Sequence, residues 1–272
     1  MRRIKIAGLC LVAVFAMGVV MATSASAVTG PEYGRCIKAP TKALTNYDSA
    51  KCIKFASEDA GTEAEKLKKG NYEWTNTILK KGFTAVLKEG TFATLENKSG
   101  TKVTCSKLKS KGEYTGLTTE KVTETIFSEC ESGGIKCNTE GDGAGVIKVK
   151  ELEGELGIIT KVVPDTKDKV GTVLWPKGGT PTSGAKFVFF ACAAALTADV
   201  HNSVISPITA NAMKLIATVK FTGSKGVQKP TKFEGGPNMF LETSFTGAPL
   251  EPSSQVATTI VTNEEKIEAR VK

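Results

Sequence analysis

Apolar and polar residues alternate with period two along most of this chain. Phe83, Ala85 and Leu87 fall on one side of a pleat, and Thr84, Val86 and Lys88 fall on the other. Val103 and Cys105 alternate with Lys102 and Thr104, and Leu215, Ala217, Val219 and Phe221 alternate with Ile216, Thr218 and Lys220. Val256, Thr258 and Ile260 repeat the pattern. Successive side chains on a strand point to opposite faces, so each such segment buries one face. Frequent threonine and valine suit the same pleated surface. Turn signals separate the segments: "ENKSGT" at 96–101 predicts a hairpin, and "GSKG" at 223–226 and "EGGPN" at 234–238 predict further breaks. The predicted fold is all-β, an antiparallel β-sandwich or irregular β-barrel with at most one short helix. That helix would follow the capping-box pair Thr62 and Glu65 and stop at Gly70.

Two segments depart from plain alternation. In "GVIKVKELEGELGII" (145–159) the apolar positions switch from odd, Ile147 and Val149, to even, Leu152 and Leu156. One extra residue near Lys150–Glu151 would do this, which predicts a bulge or bend there. "KFVFFACA" (186–193) is apolar on both faces and reads as a central strand.

The first 27 residues have another logic. Arg2, Arg3 and Lys5 precede an apolar run over residues 6–22, and Ala25-Ser26-Ala27 offers small residues at a cleavage site. This reads as a secretory signal cut after Ala27, because the run is at the short limit for spanning a bilayer. Leu9 precedes Cys10 where a lipoprotein signal has a small residue. No later segment is apolar for the roughly 18 residues a membrane span requires, so no membrane insertion is expected after cleavage. Residues 28–56 hold Gly30, Pro31, Gly34 and Pro40 with little alternation, and read as an N-terminal arm. Residues 57–272 read as a single antiparallel β domain.

Composition narrows the partners. The formal charge is +8, but the lysines are scattered, with "KLKK" at 66–69 and "KLKSK" at 107–111 the densest runs. Aromatics are 7% of residues and none falls inside those runs, so stacking on nucleic acid is not expected and solvated faces explain the charge. Six cysteines remain after cleavage: Cys36, Cys52, Cys105, Cys130, Cys137 and Cys192. An even count in an exported chain predicts three disulfides. Proximity in sequence favours Cys36–Cys52 and Cys130–Cys137, leaving Cys105 with Cys192. The first pair would close the N-terminal arm.

Candidate chemistry is thin. In "CESGGIKCNTEGDG" (130–143), Asn138, Glu140, Asp142 and Gly143 match the early positions of an EF-hand loop, but the bidentate glutamate position holds Val149. Structural zinc would want four Cys or His ligands at short spacing, and no C-x-x-C occurs. The segment reads as a turn bent at Gly133 and Gly134, its ends tied by Cys130–Cys137, and no metal or other cofactor is expected. His201 is the lone histidine, with Asp199 and Ser203 two residues to either side. A Ser-His-Asp system would have to use these three, but no G-x-S-x-G elbow is present. Glu151, Glu153 and Glu155 would project from one strand face at roughly 7 Å intervals, within the reach of a glycosidase pair. The alternation favours the plainer reading, a polar outer face opposite an inner face of leucines. Asn97-Lys98-Ser99 matches the glycosylation sequon but falls in the predicted turn. Tyr72 and Trp74 share a strand face in "NYEW" and, with Trp175, are the candidates for stacking on a sugar. Phosphate-binding glycine loops are absent.

At "PEYGRC" (31–36), "NYEW" (71–74), "GEYTG" (112–116) and "LEGELG" (152–157) the chain resembles a group of secreted proteins from soil actinobacteria. The likeness runs over most of the mature chain. The group carries no assigned activity, so the resemblance implies export and supplies no catalytic residue. Together these readings predict a secreted, non-catalytic binding or surface protein, with cell-wall or environmental polysaccharide as the partner class. The alternatives are a glycoside or ester hydrolase using the carboxylates or His201, and a purely structural surface protein.

Overall fold

A computed structural model describes residues 30–39, 47–52, 70–76, 78–162, 168–209 and 211–271. The predicted signal and nearly all of the predicted 62–70 helix lie outside them. Among the described residues there is no helix, and every strand pairing is antiparallel. The all-β expectation therefore holds.

Three long strands frame the molecule: β5 (Lys102–Tyr114), β6 (Thr119–Ser132) and β17 (Glu251–Val271). Each runs through two tiers. In the first tier β3 (Gly82–Leu87) joins β17 to β5, and β6 carries β9 (Leu152–Thr160), then β10 (Lys169–Pro176), then β13 (Val204–Pro207). β14 (Lys214–Ser224) lies on the other side of β17. In the second tier β4 (Ala93–Asn97) joins β17 to β5, and β8 (Ile147–Val149) lies on β6. On its far side β17 carries β16 (Leu241–Phe245), then β12 (Leu196–Asn202), then β11 (Lys186–Cys192).

The sheet thus wraps on itself without closing as a barrel. In the first tier, among the described residues, β13 and β14 are linked by the single bridge Ile208↔Val219, beside which the Thr209 hydroxyl donates to the Thr218 carbonyl at 2.8 Å. In the second tier the backbone links β11 to the β8 side, among the described residues, only through the bridge Asn138↔Ala191. These two seams are where ladder hydrogen bonding stops.

The phase change predicted near Lys150–Glu151 is a bend shared by two strands. β8 ends at Val149 and β9 begins at Leu152. On β6, Val122 and Thr125 are buried on either side of exposed Thr123 and Glu124. The pairing keeps step, with Thr125↔Val149 before the bend and Val122↔Leu152 after it. Both strands therefore turn the corner together and keep their apolar residues inside.

Several expectations are corrected by this wrapping. β11 is not a central strand: it ladders only with β12, and its outward Phe189 is 47% exposed, with the Lys186 ammonium 5.7 Å from its ring centroid. A seam strand needs an apolar inner face only, and here Phe187 and Phe190 supply it. On β17 the inward residues are Ala257, Thr259 and Asn263, not the face of Val256, Thr258 and Ile260. Both faces of this strand carry Val, Thr and Ile, so period two alone does not say which is inside.

The disulfides follow the same logic. Cys36–Cys52 forms. The other expected pairs do not: Cys105 bonds Cys130, and Cys137 bonds Cys192. Cys105 and Cys130 lie directly opposite each other in the β5–β6 ladder, which leaves Cys137 to cross the second-tier seam. The hairpin expected at Gly133–Gly134 forms without that tie. Both glycines have positive φ, the turn joins β6 to β7 (Ile135–Lys136), and Ser132 faces Ile135.

The segment expected as an arm is built into the sheet. β1 (Pro31–Lys38) pairs through its first half with the end of β17, and through its second half with β2 (Tyr72–Thr75). Pro31 to Gly34 are all buried, and the Tyr33 side chain enters the interior.

Candidate functional site

The wrapped sheet is not filled. Its interior holds a cavity of about 220 Å³ with lining residues in both tiers. That is roughly fifteen times the space one water requires. Phe83, Val122 and Leu174 line it in the first tier, and Leu95, Val103 and Phe190 in the second. Small side chains explain the space: Ala85 on β3, Ala217 on β14 and Ala257 on β17 all face inward where a close-packed core would carry bulk. Ala217, Val219 and Phe221 share the inner face that alternation predicts, yet each is only half-buried, because each borders the cavity. Beside the first-tier seam, exposed Asn211 and half-buried Ala212 also line the cavity, which places its mouth there. The Asn211 side chain ties this segment to β17: its Oδ1 accepts from the Ala269 backbone N–H at 3.0 Å, and its Nδ2 donates to the Ala269 carbonyl.

One part of the cavity wall is polar. Glu120 shares the inward face of β6 with Val122, and its Oε2 accepts the Tyr33 hydroxyl at 2.6 Å. With that proton committed, Thr172 Oγ1, 2.9 Å away, donates to Tyr33. The Tyr33 ring stands edge-on to Tyr114 at 4.6 Å, and the Tyr114 hydroxyl donates to Asn263 Oδ1 at 2.9 Å. Gly154 makes room for this network. A Cβ there would lie 2.8 Å from Glu120 Cγ and 2.9 Å from Thr172 Cγ2.

Burial pushes the Glu120 carboxyl up from 4.5 to about 7, against the opposing hydrogen bond from Tyr33. Burial and the nearby Glu120 carboxylate also raise Tyr33 and Tyr114. A stability effect follows. Below pH 4.5 Glu120 is protonated both folded and unfolded, so it imposes no penalty. As pH rises, the unfolded chain ionises first and stability falls until the folded carboxyl also ionises near 7. The loss attributable to Glu120 between pH 4 and 8 should be about 3 kcal/mol. Denaturant unfolding of wild type and Glu120→Gln across that range checks this: their difference should grow with pH and then level off.

The residues singled out in sequence lie elsewhere. Trp74 is 9% exposed, donates to buried Glu32 Oε1 at 3.0 Å, and is covered by the Arg270 guanidinium 4.1 Å from its ring centroid. Gly34 lies under the indole, where a Cβ would meet Cε2 at 2.5 Å. Tyr72 is half-buried two residues earlier on the same strand. Trp175 packs with Phe233 against Val173, Ile205 and Met239 on the outer side of β10 and β13. The three aromatics form no common platform for a sugar.

His201 is spoken for on both sides. Its Nε2 lies 3.0 Å from Asp199 Oδ1 and its Nδ1 lies 2.8 Å from the Gly184 carbonyl, so neither nitrogen is free to act as a base. Burial works against ionisation of Asp199, but hydrogen bonds from Lys186 and His201 outweigh it and hold the carboxyl below its ordinary value. Ser203 is fully buried and donates to the Pro181 carbonyl at 2.6 Å, away from the histidine. The structure therefore brings Asp199 to His201 but assembles no triad.

Glu153 and Glu155 form the outer face of β9, opposite buried Leu152 and Leu156, and Glu151 lies in the bend just before it. Glu151 is paired with Lys177, whose hydrogen bond and charge lower its carboxyl. In the 130–143 segment, Asp142 is held by Lys148 and by the Thr139 hydroxyl, which lower its carboxyl below the ordinary value. No group of three metal-ligating side chains converges among the described residues. Asn97 is buried in its turn, donating to Glu251 at 3.1 Å and accepting from the Thr101 N–H at 2.8 Å. Lys107, Lys109 and Lys111 face outward from β5, where Lys107 meets Glu129 and Lys111 meets Glu124.

Fold and cavity together define an antiparallel β protein with a largely apolar interior chamber and two acids, Glu120 and Glu268, in its wall. Compared with known proteins, the chain matches no family model, no curated protein and no solved structure.

Proposed function

We propose that this is an exported, non-catalytic binding protein whose ligand site is the interior of the wrapped sheet. The cavity carries this reading: an apolar space of about 220 Å³ inside a disulfide-braced shell is costly to leave empty and well suited to a hydrophobic guest. The cationic, apolar and Ala-Ser-Ala segments at the N-terminus support export, as do the three disulfides. The resemblance to secreted actinobacterial proteins agrees with it. Polysaccharide stacking loses its support because Trp74 and Trp175 are packed, and hydrolysis loses its support because His201 is held by Asp199 and Gly184, Glu151 is paired with Lys177, and Glu153 and Glu155 lie on the outer face of β9. The proposed ligand is therefore a small apolar molecule rather than a polymer.

The test is titration of the purified exported protein with Nile red, an uncharged dye that fluoresces in apolar surroundings. Saturable uptake of about one dye per chain is expected. A linear, non-saturating signal would overturn the cavity as a binding site.

A further inference from the structure

We infer that the cavity accepts a single-chain amphiphile whose cationic amine head lies against Glu120. This rests on the interior being the binding site and adds the charge and shape of the guest. Shape comes from the cavity, which is largely apolar and has lining residues in both tiers. Charge comes from its wall. Glu120 and Glu268 both line it, and none of the described lining residues is Lys, Arg or His. A carboxylate head would meet acid on entering and find no base, whereas an ammonium would find a counter-charge.

The two acids are not equivalent. Glu268 has its own cation, with Arg270 Nη2 3.3 Å from Oε2. Glu120 makes no ion pair with any described residue. Its Oε2 is fixed by Tyr33, while Oε1 has no protein hydrogen-bond partner among the described residues. The groups packed around it are Tyr33 from β1, Tyr114 from β5, Thr172 from β10 and the backbone at Gly154 of β9. The only ones that titrate are the two phenols, which burial keeps protonated. Glu120 is thus the one carboxyl of the cavity wall still lacking a positive partner. An ammonium is strongly disfavoured in an apolar space unless it is paired and hydrogen-bonded, and Glu120 meets both requirements.

Proton balance gives the pH dependence. A primary alkylamine carries its proton up to about pH 10, so the guest enters as a cation. Free Glu120 is protonated below about 7. Forming the ion pair there releases that proton to solvent, so amine binding strengthens as pH rises from 5 to 8. An alcohol of the same length has no such linkage.

Displacement of Nile red from the exported protein by decylamine, decanol and decanoate tests the inference. At pH 8 decylamine should displace the dye at concentrations at least tenfold below decanoate. Its advantage over decanol should shrink between pH 8 and pH 5. Glu120→Gln should collapse the amine-to-alcohol affinity ratio at pH 8 to near one. Decanoate binding as tightly as decylamine to the wild type would overturn the inference while leaving the cavity reading intact, as would a ratio unchanged in Glu120→Gln. Should the variant fail to fold, the wild-type pH series decides, and a pH-independent ratio sinks the idea. No saturable dye uptake at all removes both readings together.

Discussion

Replacing Cys137 and Cys192 together with alanine should cost about 4 kcal/mol of stability, more than removing either other disulfide. The ranking comes from loop length. The three bonds join residues 16, 25 and 55 positions apart, and closing a longer loop removes more entropy from the unfolded chain. The same relation gives about 3 kcal/mol for Cys36–Cys52 and about 3.5 for Cys105–Cys130. A second consequence belongs to Cys137–Cys192 alone. It is the covalent link across the second-tier seam, where the backbone contributes only the Asn138↔Ala191 bridge. Its loss should let the β11 edge open locally before the whole molecule unfolds. Denaturant unfolding gives the ranking, and hydrogen exchange at Phe187–Ala191 gives the opening. Removing Cys36–Cys52 at greater cost than Cys137–Cys192 would break the argument. Peptide mapping without reduction checks the pairing, since a Cys130–Cys137 fragment would contradict it outright.

The contrast between expected and observed disulfides shows what kind of information period-two patterning carries. Alternation is local, so it identified the inner face of β3, that of β14 from Ala217 to Phe221 but not at exposed Leu215, and the bend at Lys150–Glu151, while turn signals marked the hairpin at 96–101 and the break at 223–226. Pairing of Cys105 with Cys130 depends on the register of two long strands, which no single segment contains. The faces of β17 were ambiguous for a related reason: what lies inside is decided by which strands flank it. The fate of Trp74 was decided by Glu32 and Arg270, from opposite ends of the chain.

The cavity was the least legible feature. Empty space depends on how far apart opposite walls stand, and alanines at 85, 217 and 257 look in sequence like ordinary strand residues. Glu120 did leave a trace, because it shares parity with Val122 and so had to point inward with it. In a polar stretch such as "TTEKVTE" that parity is easily passed over. Three short stretches of the chain meet at this wall. Tyr33 comes from "PEYGRC", Tyr114 from "GEYTG" and Gly154 from "LEGELG". Their common place is the polar part of the chamber rather than any surface cleft.

Ala217→Trp should reduce Nile red binding at least tenfold without unfolding the protein. Ala217 faces the cavity from β14 beside the first-tier seam, so a larger side chain grows into existing space instead of into packed neighbours. Small-to-large changes in a filled core usually cost roughly 1–3 kcal/mol because other side chains must move. Where a cavity receives the new atoms, that strain is absent and apolar burial is gained. The expected signature is therefore a protein that binds dye poorly and resists denaturant as well as wild type or better. Ala198→Trp supplies the opposite case. Ala198 is fully buried on β12 and does not border the cavity, so its indole has no space to enter and stability should fall. If both variants lose stability alike, the interior near Ala217 is packed and the chamber is not a binding site. If Ala217→Trp is stable and still takes up dye with unchanged affinity, the dye sits elsewhere on the molecule.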